Sequence, residues 1–158
     1  MSTSDQPWPQ PDDDYDEAVI RNIKQFGWHV VLIPEEDDLP AFAYTIGLQK
    51  SYGHPEVIVF GMSLENMHLM LNNVGILARD GHRQYDKNPS SEVIEGYEVA
   101  FRTVDQQHYR EYLGTGMWFY QGFNFATLQM IWPDREGRFP WDDGFHAANL
   151  PRQPPLYL

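Results

Sequence analysis

Apolar positions along the chain recur first at helical spacing and then at strand spacing. Between Asp14 and Phe26, Val19, Ile20, Ile23 and Phe26 share one stripe behind an acidic start, which predicts a helix closed by Gly27. Trp28 to Ile33 is short and β-branched, which predicts a strand stopped by Pro34. After the loop PEEDDLP, Ala41 to Leu48 predicts a second strand. The turn-like QKSYGHP then leads to a third, Glu56 to Gly61. Connections of about seven residues suit hairpins rather than parallel crossovers. Ser63 is a good N-cap for a second helix running to Arg79, with Leu64, Met67, Leu71, Val74 and Leu77 as its stripe, Met70 and Ala78 beside it, and Gly81 at its end. Residues 82–92 are polar and predict a loop. Val93 to Val104 alternates as one strand with Gly96 as a bulge, Asp105 to Leu113 predicts a short helix, and Phe123 to Trp132 a last strand stopped by Pro133.

This order predicts a single α+β domain, with a mainly antiparallel sheet of about five strands and two main helices. Residues 1–11 read as a flexible acidic and proline-rich arm with Trp8 as its anchor, residues 12–150 as the globular domain, and residues 151–158 as a proline-rich tail. A chain of 158 residues, 42% hydrophobic and 22% charged, can bury a core without a staple. It has no cysteine, which excludes a disulfide scaffold, a thiolate nucleophile, a zinc finger and a thiolate-held iron–sulfur cluster. The opening Met-Ser-Thr-Ser-Asp-Gln has neither a basic region nor an apolar run, and no apolar run approaches the roughly 20 residues of a membrane span. A soluble cytoplasmic protein is expected.

Charge sharpens the picture. The formal net charge is -12, which argues against nucleic acid and anionic membranes as partners. Residues 1–40 carry ten acids against Arg21 and Lys24, a net of -8, and the other residues carry thirteen acids against nine bases, a net of -4. Two clusters account for this, Asp12, Asp13, Asp14, Asp16 and Glu17 before and within the first helix, and Glu35, Glu36, Asp37 and Asp38 in the first hairpin loop, followed by Leu39. They are either a solubilising surface or a patch that steers a basic partner.

Catalytic patterns mostly fail. The six histidines, His29, His54, His68, His82, His108 and His146, form no local metal-ligand pair, so no metal is expected. His54-Pro55-Glu56 matches the H-x-E of zinc deaminases, but that chemistry also needs cysteine ligands. His54 is expected to order the turn into the third strand. No nucleophile elbow, dinucleotide loop or phosphate loop is present, and Asp142-Asp143 reads as solvated. Thirteen of 23 aromatic residues lie between Tyr97 and Phe145 and read mainly as core, with Trp141 expected to be a buried aromatic whose loss costs about 3–5 kcal/mol. Residues left as a candidate pocket are Tyr44, His54, Glu56, Trp132, Asp134, Arg138 and Trp141.

Residues 41–62 (AFAYTIGLQKSYGHPEVIVFGM) and 128–145 (LQMIWPDREGRFPWDDGF) carry a resemblance. Through Tyr44-Thr45-Ile46-Gly47-Leu48, Gly53-His54-Pro55-Glu56, Trp132-Pro133-Asp134 and Phe139-Pro140-Trp141-Asp142 the chain resembles the small bacterial family catalogued as domain of unknown function 4262. The resemblance runs from about Gly27 to Phe145 and implies a compact cytoplasmic domain with no assigned reaction or catalytic residues. Three function classes follow. The first is a non-catalytic binding or inhibitory protein of the immunity type, which takes a basic protein partner such as a toxin through the acidic clusters and needs no cofactor. The alternatives are a small-ligand or flavin-binding module, or a hydrolase or transferase with a dispersed His and carboxylate site drawn from His54, Glu56, Asp134 and Arg138.

Overall fold

A computed structural model describes residues 7–145 and 152–158. Residues 1–6 of the predicted arm and the predicted boundary at 150–151 lie outside the described residues. Helix α1, Asp14–Phe26, begins where Asp13 caps it. The Asp13 carboxylate accepts the Asp16 N–H at 2.8 Å, a contact typically worth about 1 kcal/mol. Gly27 closes the helix by returning its N–H to the Ile23 carbonyl at 2.8 Å. Val19 and Ile23 of the predicted stripe are buried, but Phe26 is 58% exposed because the last turn of α1 overhangs the sheet edge.

Strands β1, His29–Ile33, β2, Phe42–Ile46, and β3, Glu56–Phe60, form the predicted antiparallel meander. The β1–β2 register runs unbroken from His29 opposite Ile46 to Ile33 opposite Phe42. The second strand is shorter than predicted. Gly47 turns the chain at a φ of +112°, and Leu48–Tyr52 coils into a short helix, α2. The N–H groups of Leu48 and Gln49 find the Glu56 carboxylate instead of a neighbouring strand.

Helix α3, Leu64–Arg79, starts at the predicted cap, with Ser63 Oγ accepting the Asn66 N–H at 3.1 Å. The single strand predicted over Val93 to Val104 is two strands, β4, Ser90–Ile94, and β5, Tyr97–Thr103. Gly96 is their turn rather than a bulge, because its φ of +85° reverses the chain. The predicted short helix is a 3₁₀ turn, Gln106–His108, continued by α4, Tyr109–Tyr112. Helix α5, Gly114–Tyr120, was not signalled by the sequence, since two glycines open it and no side chain caps it. It forms because it lowers Phe119 and Tyr120 into the core.

Strand β6, Thr127–Ile131, is shorter than the predicted Phe123 to Trp132 and lies between β3 and β5. It runs parallel to β3, Glu56 facing Thr127 and Ile58 facing Gln129, and antiparallel to β5. The result is α+β, one mostly antiparallel sheet of six strands in the order β1-β2-β3-β6-β5-β4. All five residues of β6 are buried, as expected of a central strand covered on both faces.

Alternation along the strands divides the interior in two. Ile23, Tyr44, Ile58, Phe60, Tyr109 and Phe125 pack on one face with α1, α4 and α5. Val57, Val59, Met70, Leu71, Phe101 and Met130 pack on the other under α3. Trp8 joins the first core edge-on to Phe119, with ring centroids 5.6 Å apart. Residues 152–158 are tied to the sheet. Gln129 donates to the Pro154 carbonyl at 2.9 Å and accepts the Leu156 N–H at 2.9 Å, and Leu156 is buried.

Most aromatics after Tyr97 do build the core, but Trp141 does not. It is 40% exposed, stacked flat on Phe139 with centroids 5.4 Å apart and covered by the Arg102 guanidinium 3.9 Å from its ring centre. Asp142 accepts the Phe139 N–H at 2.9 Å and turns the chain there, which leaves the indole on the surface.

Candidate functional site

The predicted pocket residues divide between opposite ends of the sheet. Glu56 and His54 stand at the start of β3, while Trp132 and Asp134 follow the end of β6, its parallel neighbour. Five residues of strand separate the two groups by roughly 15 Å. Tyr44 lies in the first core, where burial pushes its phenol up to about 12, and Trp141 lies on the surface beside β5. The seven residues therefore do not form one pocket, and each half has its own structural work.

Glu56 is 1% exposed and is the hub of the first half. Its carboxylate accepts the Thr45 hydroxyl at 2.8 Å and the N–H groups of Gly47, Leu48 and Gln49 at 3.1, 3.2 and 3.2 Å. The Tyr120 hydroxyl of α5 donates the fifth hydrogen bond, to Oε2. Gly47 is required here, because a Cβ would sit 2.9 Å from the Gly27 carbonyl oxygen at an already positive φ. Burial raises the Glu56 pKa to about 6, against the pull of Tyr120, Thr45 and the backbone donors. Burial and the neighbouring Glu56 charge raise that of Tyr120. A carboxylate offers about four lone-pair positions, so five donors leave none for a substrate.

His54 is equally committed. It is 2% exposed, its Nε2 accepts the Gln84 N–H at 3.0 Å, and its Nδ1 lies 2.7 Å from the Pro55 carbonyl, which assigns the neutral Nδ1–H form. Burial lowers its pKa, consistent with that form. The histidine clamps the turn into β3 against residue 84.

In the second half, Asp134 accepts the N–H groups of Glu136 and Arg138 at 3.0 and 2.9 Å and the Arg138 guanidinium at 3.1 Å. Burial works against its charge, but these donors outweigh it and hold the pKa below the usual carboxylate value. Trp132 donates its indole N–H to the Phe60 carbonyl at 2.8 Å, and the Gln153 side-chain amide accepts its backbone N–H and donates to its carbonyl, each at 3.0 Å. Among the described residues, no group of three or more His, Asp or Glu side chains is placed to hold a metal ion.

The acidic clusters are on the surface. Asp13 and Asp16 are used in capping α1, Asp16 accepting the Asp12 N–H at 3.0 Å. Glu35, Glu36, Asp37 and Asp38 are exposed, and a tight turn closes between Glu36 and Leu39 by reciprocal backbone bonds of 2.9 and 3.2 Å. Leu39 packs partly against the first core. None of the nine acids forms an ion pair among the described residues.

Sequence reasoning missed one concavity. A groove of ≈ 510 Å³ opens beside β1, between Phe26 of α1 and His68, Asn72 and Ile76 of α3. Its floor is the start of β1, and Trp28 fixes Asn72 through an indole hydrogen bond of 3.1 Å. His29 is held by Asn22 and the Tyr15 hydroxyl, each at 3.0 Å, and burial followed by the nearby His68 lowers its pKa to about 4. The signal in the sequence was Ile76, an apolar residue lying off the stripe that α3 buries.

No helix of the described chain is long and apolar enough to cross a membrane. No curated protein matches the chain, and no solved structure does. One family model, described as Domain of unknown function (DUF4262), matches residues 22–146 and takes in Glu56, His54, Trp132, Asp134 and Trp141. The chain therefore belongs to that family of unknown function.

Proposed function

We propose that this protein is a non-catalytic binding protein of the immunity type, which engages a basic protein through its acidic N-terminal quarter. The observation that carries this reading is a contrast in how polar side chains are used. Glu56, His54 and Asp134, the groups best suited to acid–base work, are saturated by intramolecular hydrogen bonds. Asp12, Asp14, Glu17 and Glu35 to Asp38 are exposed, with no side-chain hydrogen bond or ion pair among the described residues. Uncompensated like charges on a surface cost stability, and they steer an oppositely charged partner.

Salt at 0.15 M screens beyond about 8 Å, so the acids set the association rate while apolar contacts such as Leu39 add affinity. The experiment is to isolate the partner bound to the protein in its own cells, then measure its association with the variant carrying lysine at Glu35, Glu36, Asp37 and Asp38. A basic partner is expected, with an association rate that falls about tenfold or more in the variant and falls again as salt rises. A partner that is not basic, or a rate indifferent to both changes, overturns the reading.

A further inference from the structure

The two edges of the sheet are treated differently. Along β4 the pairing with β5 is irregular, Glu92 lies within the strand, Pro89 precedes it, and Asn73 of α3 donates to the Val93 carbonyl at 2.8 Å. These are the usual devices that stop an edge from pairing with another chain. Strand β1, the other edge, shares only the flanking proline, Pro34. The strand itself is the apolar run His29-Val30-Val31-Leu32-Ile33, in unbroken register with β2, without lysine, proline or bulge. No backbone hydrogen bond from another described segment reaches its outer side.

The start of that edge, His29 and Val30, lies within the groove. His29 points to the face covered by α1, whereas Trp28 and Val30 point to the face covered by α3, and both sets line the same concavity. The open backbone therefore runs between two helical walls. Two recessed edges cannot meet, so a second copy of this strand is a poor occupant. A single extended peptide fits. The apolar side chains Phe26 and Ile76 stand exposed along the walls at 58% and 40%, with Leu69 at 57% on the same helix as Ile76.

The lining also states the chemistry of that peptide. In a chain with 23 acids against 11 bases, no carboxylate lines the groove, while His68 and Arg79 do, the Arg79 Nε being paired at 3.2 Å with Asp80, which lies outside that lining. Asn72 has its oxygen fixed by Trp28, which leaves its amide N–H₂ as a donor. We propose that the groove over β1 takes an extended peptide segment of a protein partner by strand addition, with apolar side chains against Trp28 and Ile76 and an acidic side chain beside Arg79 and His68. Main-chain pairing then supplies affinity and the alternate side-chain contacts supply specificity. None of the acids of the two clusters lines this groove, so the two readings rest on different residues and stand or fall apart.

The test uses a blocked peptide of about seven residues that carries valine and glutamate on one face and threonine on the other. It is titrated into the protein while the backbone amides of His29 to Ile33 and the Trp28 indole are followed by NMR. The amides are expected to shift and saturate. Three comparisons should each weaken binding about tenfold or more: lysine in place of the peptide's glutamates, N-methylation of its alternate amides, and the surface variant Ile76→Glu. Silent β1 amides overturn the proposal. Equal binding of the N-methylated peptide overturns strand pairing, and equal binding of the lysine peptide overturns the acidic preference.

Discussion

A carboxylate taken out of water needs a countercharge or a full set of donors, and Glu56 has the second. The donors do not fully offset its burial, since its pKa stands at about 6 against an ordinary value of 4.5. A raised pKa means that the folded state binds this proton more tightly than the unfolded chain. The resulting stability is fully present below pH 4.5 and is lost as pH rises through 6, by about 2 kcal/mol. His29 and His54 act in reverse. Their pKa values are lowered, so their share is present above 6.5 and is lost in acid. The Glu56 effect is therefore best read as a difference. Glu56→Gln turns an amide donor toward N–H groups and is expected to destabilise the protein by roughly 1–3 kcal/mol at pH 4.5. At neutral pH that deficit should shrink by about 2 kcal/mol, because the variant has no charge to bury. Urea unfolding of both proteins at the two pH values checks this, and an unchanged deficit contradicts it. The pairing of Glu56 with Thr45 was within reach of the sequence, eleven residues away. Its bond to Tyr120 was not, because nothing local ties positions 64 residues apart.

Elements packed by a single close approach depend on the residue that permits it. Gly75 lies in the middle of α3, where alanine ordinarily stabilises a helix by about 0.5–1 kcal/mol. Here a Cβ would come within 2.4 Å of the Trp28 indole. Gly75→Ala should therefore reverse the usual sign and destabilise by roughly 1–3 kcal/mol, as overpacking does. Thermal unfolding measures it, and a raised melting temperature would mean that Trp28 moves aside freely. Elements with a strong local period were legible, namely α1, α3, β1 and β3, with caps at Gly27 and Ser63 as expected. The misses share one cause. Leu48 to Tyr52 coils because Glu56 captures its N–H groups, and α5 coils because Phe119 and Tyr120 seek the core. Both are tertiary effects that override weak local preference.

At the scale of the whole molecule, one sheet carries an apolar core on each face. Dialysis against a strong chelator is expected to leave the thermal transition in place, and a marked fall would reveal a structural metal. The class and the meander were legible, but the placing of β6 was not. Its apolar character on both faces announced a central strand without naming its neighbours. Parallel pairing between β3 and β6 is the feature with the widest reach. Glu56 meets Thr127 only after the intervening chain has been made, so an emerging polypeptide holds β1, β2 and β3 with the inner side of β3 still bare. During synthesis that bare side is an invitation to chaperones and to neighbouring nascent chains alike. Slowing translation between codons 61 and 127 should accordingly trap more of the product in aggregates than slowing it after β6 has emerged.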